Sequence, residues 1–154
     1  MYKLKGVKVM LAETPSLYTT ERCNTPERAV EVLKEAYMLL DREQVCVVNL
    51  TAKNAPINYN VVSVGDLDAS IVSIPNVFKS AILSNAKSIL MMHNHPSGDP
   101  TPSGRDNQVI RRLIEAGSLL GIPLLDHVIV AGSAYYSFME SDPELFSGGG
   151  DQHG

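Results

Sequence analysis

Two histidines and an aspartate in one short polar stretch are the residues most suited to chemistry: His93, His95 and Asp106. The histidines follow an apolar run at 88–92 that is typical of a strand. Because side chains alternate across a strand, both imidazoles should point to one side and Asn94 to the other. Two imidazoles and a carboxylate suit Zn²⁺ and leave a position open for water, as in catalytic zinc sites.

The same residues also have a purely structural interpretation. Ser103 and Asp106 fit an S-x-x-D capping pattern at the start of a helix, and a cap needs no metal. His93 and His95 could be hydrogen-bonded core residues. Two histidines at i and i+2 favour metal binding, since neutral imidazole is a common metal ligand. Spacing alone leaves both interpretations of Asp106 open.

The elements around this stretch alternate between helices and strands. Asn24–Glu27 combines a polar cap with a first-turn proline and starts a helix predicted over 26–41. A β-branched run and turn residues predict a hairpin over 44–65. The remaining predicted elements are a strand around Val7–Leu11, a helix from Pro75 to near Asn85, a central strand at 88–92, a helix from 104 to about Leu120 that stops at Gly121, and a hairpin over 128–138.

This pattern predicts an α/β fold, with helices packed on a mixed central β-sheet. There is no internal repeat and no sign of a second domain, so one domain is predicted over residues 1–146, with its core at 26–140. The glycine-rich residues 147–154 are predicted to form a flexible tail.

Composition sets further bounds. The chain has 154 residues, 44% of them apolar, which is enough for one globular core. Its net charge of −4 excludes a global cationic surface for duplex DNA. The sequence has neither a transmembrane run nor a recognisable secretory signal, so we expect a cytoplasmic protein. Cys23 and Cys46 should stay reduced there, with Cys46 buried as a small apolar residue.

At this point the sequence is similar to a known family. The signature of the JAMM (MPN-domain) metalloproteases is H-x-H, then seven residues, Ser, two residues and Asp, and residues 93–106 have this pattern. The wording of His93–Ser103 resembles the RadC branch of that family. The resemblance extends to 64–70 and 121–127 and covers roughly residues 26–140. It implies the JAMM/MPN architecture, which is cytidine-deaminase-like.

The resemblance also implies roles for five residues. His93, His95 and Asp106 would be the zinc ligands, and Ser103 would hydrogen-bond the tetrahedral intermediate or the bound water. The family needs an upstream glutamate at the start of a strand, and Glu43 stands at that position. Without the resemblance, Glu43 would be interpreted as a solvated glutamate at a helix-to-strand junction.

The expected function is therefore that of a zinc-dependent hydrolase acting on peptide or isopeptide amide bonds. Zinc lowers the pKa of its bound water to about 7, and a nearby carboxylate can move the proton. A protein or peptide is the expected substrate; the charge does not support nucleic acid, and no membrane partner is expected. Two alternatives stay open: a catalytically silent MPN scaffold, and a DNA-repair-associated role as in the RadC name. A zinc nucleobase deaminase is excluded, because H-x-E with P-C-x-x-C is missing.

Two departures from the family pattern limit what the resemblance implies about substrate specificity and DNA binding. The Arg-Glu pair usual before the second helix is replaced by Ile74–Val77, and the residues before the first helix are too few for a helix-hairpin-helix segment. Asp126 and His127 could serve as a second shell, or Asp126 as an alternative ligand, although a structural role is favoured for both. Asp99 is interpreted as the cap of a turn.

Overall fold

The computed structural model describes residues 1–17, 19, 22–65 and 72–148. Five strands and five helices lie within these residues. In chain order they are α1 (Pro26–Tyr37), β1 (Gln44–Leu50), β2 (Pro56–Val64), α2 (Ile74–Leu83), β3 (Ser88–Asn94), α3 (Gly104–Leu120), β4 (Leu124–Ala131), β5 (Ala134–Ser137), α4 (Phe138–Ser141) and α5 (Glu144–Ser147).

The five strands form one mixed sheet in the order β2-β1-β3-β4-β5. β3 runs parallel to β4, and the other neighbouring pairs are antiparallel. Every residue of β3 is buried, as expected for a central strand. The predictions of an α/β fold, of a mixed sheet and of a central strand before the polar loop are thus confirmed.

Strand alternation divides the core into two layers. Val47, Met91 and Ile129 face the helices α2 and α3. Residues one position away, such as Cys46 and Met92, face α1 on the opposite side of the sheet. Because His93 follows Met91 by two residues, its side chain lies on the α2/α3 face.

The ends of the helices follow local sequence signals. α1 begins at Pro26, and the hydroxyl of Thr25 accepts a hydrogen bond from the backbone N–H of Arg28 at 3.2 Å. α3 ends at Gly121, whose φ of 70° lies in the left-handed region that glycine adopts without strain.

Several predicted boundaries need correction. The prediction of a strand at Val7–Leu11 is wrong. These residues have no regular structure, and Val9 is 69% exposed, because none of the described strands pairs with the segment. The first helix ends at Tyr37 rather than residue 41, and β3 extends to Asn94. The last hairpin ends at Ser137, whose hydroxyl accepts from the Glu140 N–H and starts α4.

The predicted tail falls mostly outside the described residues, which end at residue 148. Ser147 is the last residue of α5. Cys46 is buried, as predicted, whereas Cys23 is exposed.

The close packing of α3 against the residues that lead into β4 depends on Gly117. A Cβ atom at this position would lie 2.6 Å from the carbonyl oxygen of Ile122, a backbone atom that cannot rotate away. Gly117→Ala should therefore lower the free energy of unfolding by about 1–3 kcal/mol, despite the better helix propensity of alanine. Urea denaturation of the metal-free protein measures the change.

Gly104→Ala is the matched control, because Gly104 lies in the same helix and a Cβ there has no atom within 4 Å. It should leave stability unchanged or raise it slightly. Equal stability of the two variants would contradict the close approach at Gly117.

Candidate metal centre

Two histidines reach the site from the end of β3. His93 is fully buried, and the Nε2 atoms of His93 and His95 lie 3.0 Å apart. Asn94 points to the opposite side, where its side chain contacts the segment before β1. The predicted alternation of His93, Asn94 and His95 is confirmed.

Asp106 faces both imidazoles from the first turn of α3. Its Oδ1 lies 3.4 Å from Nε2 of His93, and its Oδ2 lies 3.4 Å from Nε2 of His95. The same carboxylate closes a capping box, because Oδ2 accepts from the Ser103 N–H at 2.7 Å and the Ser103 hydroxyl accepts from the Asp106 N–H at 3.1 Å. The capping and metal-site interpretations of Asp106 are therefore compatible: the cap aims the carboxylate at the histidines.

These three side chains have the donor set and spacing that a metal ion requires. One ligand atom from each of His93, His95 and Asp106 lies within 4.8 Å of the others. Two imidazole nitrogens and a carboxylate oxygen are ligands that suit Zn²⁺ and several other divalent transition metals. The residues thus fit a metal ion, and a bound ion would replace the close contacts between their nitrogen and oxygen atoms.

The electrostatics favour a negative charge on Asp106. Burial alone would raise its pKa, but the contacts with the imidazoles of His93 and His95 at 3.4 Å outweigh burial and hold the pKa far below its usual range. The contact with Asp106 in turn raises the pKa of His95. Asp106 is therefore a carboxylate, the form that binds metal.

The polar loop fixes the ring of His95. Its Nδ1 donates to the backbone carbonyl of Asp99 at 2.9 Å, which leaves the Nε2 lone pair facing the cluster. The Asp99 carboxylate caps a turn by accepting from the Thr101 N–H at 2.9 Å, as predicted, and hydrogen bonds from the side chain and the backbone of Thr101 lower the pKa of Asp99. The loop therefore selects the tautomer of His95 that can bind a metal.

Glu43 lies next to this cluster at the entry of β1. Val45 pairs with His93, so Glu43 stands two residues earlier on the same face of the sheet, towards His95. Glu43 is half-buried, and its charge contributes to the raised pKa of His95. Its role as an acid and base stays a prediction.

One residue whose contacts the sequence did not reveal is Asn94. Its amide nitrogen donates to the Arg42 carbonyl at 2.9 Å, and its amide oxygen accepts from the Gln44 N–H at 2.8 Å. The Gly65 N–H also donates to the Glu43 carbonyl at 2.8 Å. The backbone on both sides of Glu43 is thus held by a buried side chain from β3. The only sequence signal was the position of an asparagine between the two histidines.

Asp126 has a structural role, as favoured from the sequence. Its carboxylate accepts from the Ser137 hydroxyl at 2.6 Å and from the backbone N–H groups of His127 and Met139. Burial raises its pKa, and the bond from Ser137 offsets part of this effect. The carboxylate links β4 to β5 and α4 rather than joining the metal cluster.

His127 contacts one of the candidate ligands. Its Nε2 lies 2.6 Å from Nδ1 of His93, and the two rings meet edge to face. Burial lowers the pKa of His127 well below its ordinary value. This contact is compatible with both roles considered for His127, the structural one that the sequence favoured and that of a second-shell residue.

Fold and site together define an α/β protein with a His-His-Asp centre that could hold a metal ion. A family model described as the RadC-like JAB domain matches residues 23–143, and the chain belongs to that family. The resemblance to the RadC branch is thereby confirmed.

Three similar proteins carry the name UPF0758 protein. One from Caldanaerobacter subterraneus subsp. tengcongensis is 47% identical over 116 residues, which is 75% of this chain and 50% of the relative. One from Desulfitobacterium hafniense is 44% identical over 117 residues, or 76% of this chain and 52% of the relative. One from Methanosarcina mazei is 41% identical over 122 residues, which is 75% of this chain and 53% of the relative. The chain thus spans about half the length of these relatives.

None of the described helices combines the length and the apolar character that crossing a bilayer requires.

Proposed function

We propose that the protein is a zinc-dependent hydrolase that cleaves peptide or isopeptide amide bonds. One observation carries the proposal: ligand atoms of His93, His95 and Asp106 converge within 4.8 Å at the end of the central strand. Three protein ligands are the usual number at a catalytic zinc site, whereas structural sites use four.

The proposed metal supplies Lewis acidity and activates water near neutral pH when it is bound. The protein's part is to hold the donors in place. The loop fixes His95, the capping box fixes Asp106, and both Nε2 atoms face the same space.

Two further side chains would handle the proton and the carbonyl. Glu43 would accept a proton from the attacking water and return it to the leaving amine. The Ser103 hydroxyl is exposed, and its oxygen accepts from the Asp106 N–H, so its own hydrogen stays available for a substrate oxygen. Access is from the side of His95, which is half-buried rather than closed off.

A protein or peptide is the proposed substrate. Amide bonds match the acid-and-base assignment of Glu43, because the leaving amine must be protonated. A net charge of −4 gives no general attraction for the phosphates of nucleic acid.

The proposal predicts that hydrolysis depends on a bound metal. The zinc-loaded chain, incubated with linear peptides and with peptides branched through a lysine isopeptide bond, should release new amines detectable by mass spectrometry. A chelator should stop cleavage, and equimolar Zn²⁺ should restore it. Cleavage that survives complete metal removal would contradict the proposal, and a loaded chain that cleaves neither class would favour the scaffold alternative.

A further inference from the structure

A buried histidine outside the ligand set contacts the most enclosed ligand. His127 lies on β4, paired in register with Met91, whereas His93 pairs with Ile129. His93 and His127 are therefore diagonal neighbours on one face of two parallel strands. Their ring nitrogens, His93 Nδ1 and His127 Nε2, lie 2.6 Å apart, and both side chains are almost completely buried.

The two ring nitrogens of His93 have different surroundings. Nε2 faces His95 and Asp106, at 3.0 Å and 3.4 Å. Nδ1 faces His127. A neutral imidazole carries one hydrogen, so His93 can offer the Nε2 lone pair to a metal only when Nδ1 carries the hydrogen. That N–H group is buried and needs an acceptor.

We propose that His127 is a positioning residue for the metal centre, accepting the Nδ1–H of His93 so that the His93 Nε2 lone pair faces the metal. The inference rests on the proposed metal-dependent function and adds to it the residue that orients His93. The opposite arrangement, with His127 donating, would put a hydrogen on His93 Nε2 and block ligation.

Each of the two ligand histidines then donates its Nδ1–H to an acceptor, and the two acceptors differ. His95 donates its Nδ1–H to the backbone carbonyl of Asp99, and His93 donates to His127. Partners of this kind fix the tautomer and raise the basicity of the ligand.

In this arrangement His127 carries its own hydrogen on Nδ1. That Nδ1 is buried and has no hydrogen-bond partner among the described residues, so the ring makes one hydrogen bond, to His93. The other side of the ring packs near Phe138, with centroids 5.6 Å apart. The contact with His93 is therefore the one polar contact of the His127 ring that the described residues show.

Zinc affinity tests the inference without requiring a substrate. In chelator competition, His127→Leu should raise the dissociation constant for Zn²⁺ about 10–100-fold. His127→Gln keeps a carbonyl acceptor and should show a smaller loss. Ile129→Leu is the control, because Ile129 is a buried neighbour on the same face of β4 and makes no side-chain hydrogen bond. It should bind Zn²⁺ like the unsubstituted chain.

Cobalt gives a second readout. At saturation, the visible spectrum of the Co²⁺ form should be the same in His127→Gln and the unsubstituted chain, because the coordinating atoms do not change. A lost or shifted band would make His127 a direct ligand and overturn the inference.

Other results would also overturn it. One is a Zn²⁺ affinity of His127→Leu within twofold of that of the unsubstituted chain. Another is an equal loss of Zn²⁺ affinity in His127→Leu and Ile129→Leu, which would assign the effect to packing. If His127→Leu fails to fold by circular dichroism, His127→Phe, which keeps a ring but has no acceptor, replaces it, and unchanged affinity in that variant overturns the inference. Failure of the unsubstituted chain to bind Zn²⁺ would instead refute the proposed function itself.

Discussion

Asp106→Asn should abolish stoichiometric zinc binding while leaving the fold intact. The unsubstituted chain is expected to hold about one zinc ion per molecule, as a single three-ligand site would. Asparagine keeps an oxygen that can accept from the Ser103 N–H, so the capping box survives. It removes the negative charge that faces His93 and His95 at 3.4 Å. Mass spectrometry for metals on the untagged, zinc-supplied protein should give a ratio near zero.

The matched control is Asp99→Asn. Asp99 lies in the polar loop that precedes α3 and also accepts a backbone hydrogen bond, from Thr101, but its carboxylate is not part of the His-His-Asp cluster. This variant should keep its zinc. A full complement of zinc in Asp106→Asn would mean that Asp106 is only a helix cap. No metal in any of the chains would make His93 and His95 core histidines and leave the scaffold alternative.

His95→Ala should also lose the zinc, because it removes the ligand whose tautomer the loop selects. Comparing His95→Ala with Asp106→Asn shows whether the metal needs all three ligands or binds to the carboxylate alone. If His95→Ala retained full occupancy, the assignment of the ligands would be wrong.

Much of the site could be predicted because its signals are local. The alternation of His93 and His95 follows from strand geometry over three residues, and the aim of Asp106 follows from a capping box over four. Short-range rules of this kind do not depend on how strands are ordered in the sheet. The buried central strand was also predictable, because β3 is apolar on both faces.

The contacts that were not predicted depend on strand pairing. Asn94 reaches Arg42 and Gln44 because β1 runs antiparallel to β3, and His127 reaches His93 because β4 runs parallel to β3. Neither the neighbours nor the register of a strand can be read from the strand alone. The strand expected at Val7–Leu11 shows the reverse failure: an apolar pattern without a pairing partner stays irregular.

Glu43→Gln should keep the metal and lose hydrolysis. Glutamine has nearly the same shape as glutamate but cannot take a proton from water, so kcat should fall about 10²–10⁴-fold, the usual contribution of a general acid and base. Zinc content should stay near one per chain, because Glu43 is not among the three clustered ligands. The backbone around Glu43 is held by Asn94 and Gly65, so the substitution should not move the segment.

Glu115→Gln is the control for Glu43→Gln. Glu115 is an exposed glutamate on α3, and its substitution removes the same charge far along the helix from Asp106. Its kcat should match that of the unsubstituted chain, measured on the same peptide and with zinc content determined in the same sample. Full activity in zinc-loaded Glu43→Gln would assign proton transfer to another group, and Glu43 would be a solvated glutamate at the junction of α1 and β1. Loss of both zinc and activity would instead place Glu43 among the residues that hold the metal.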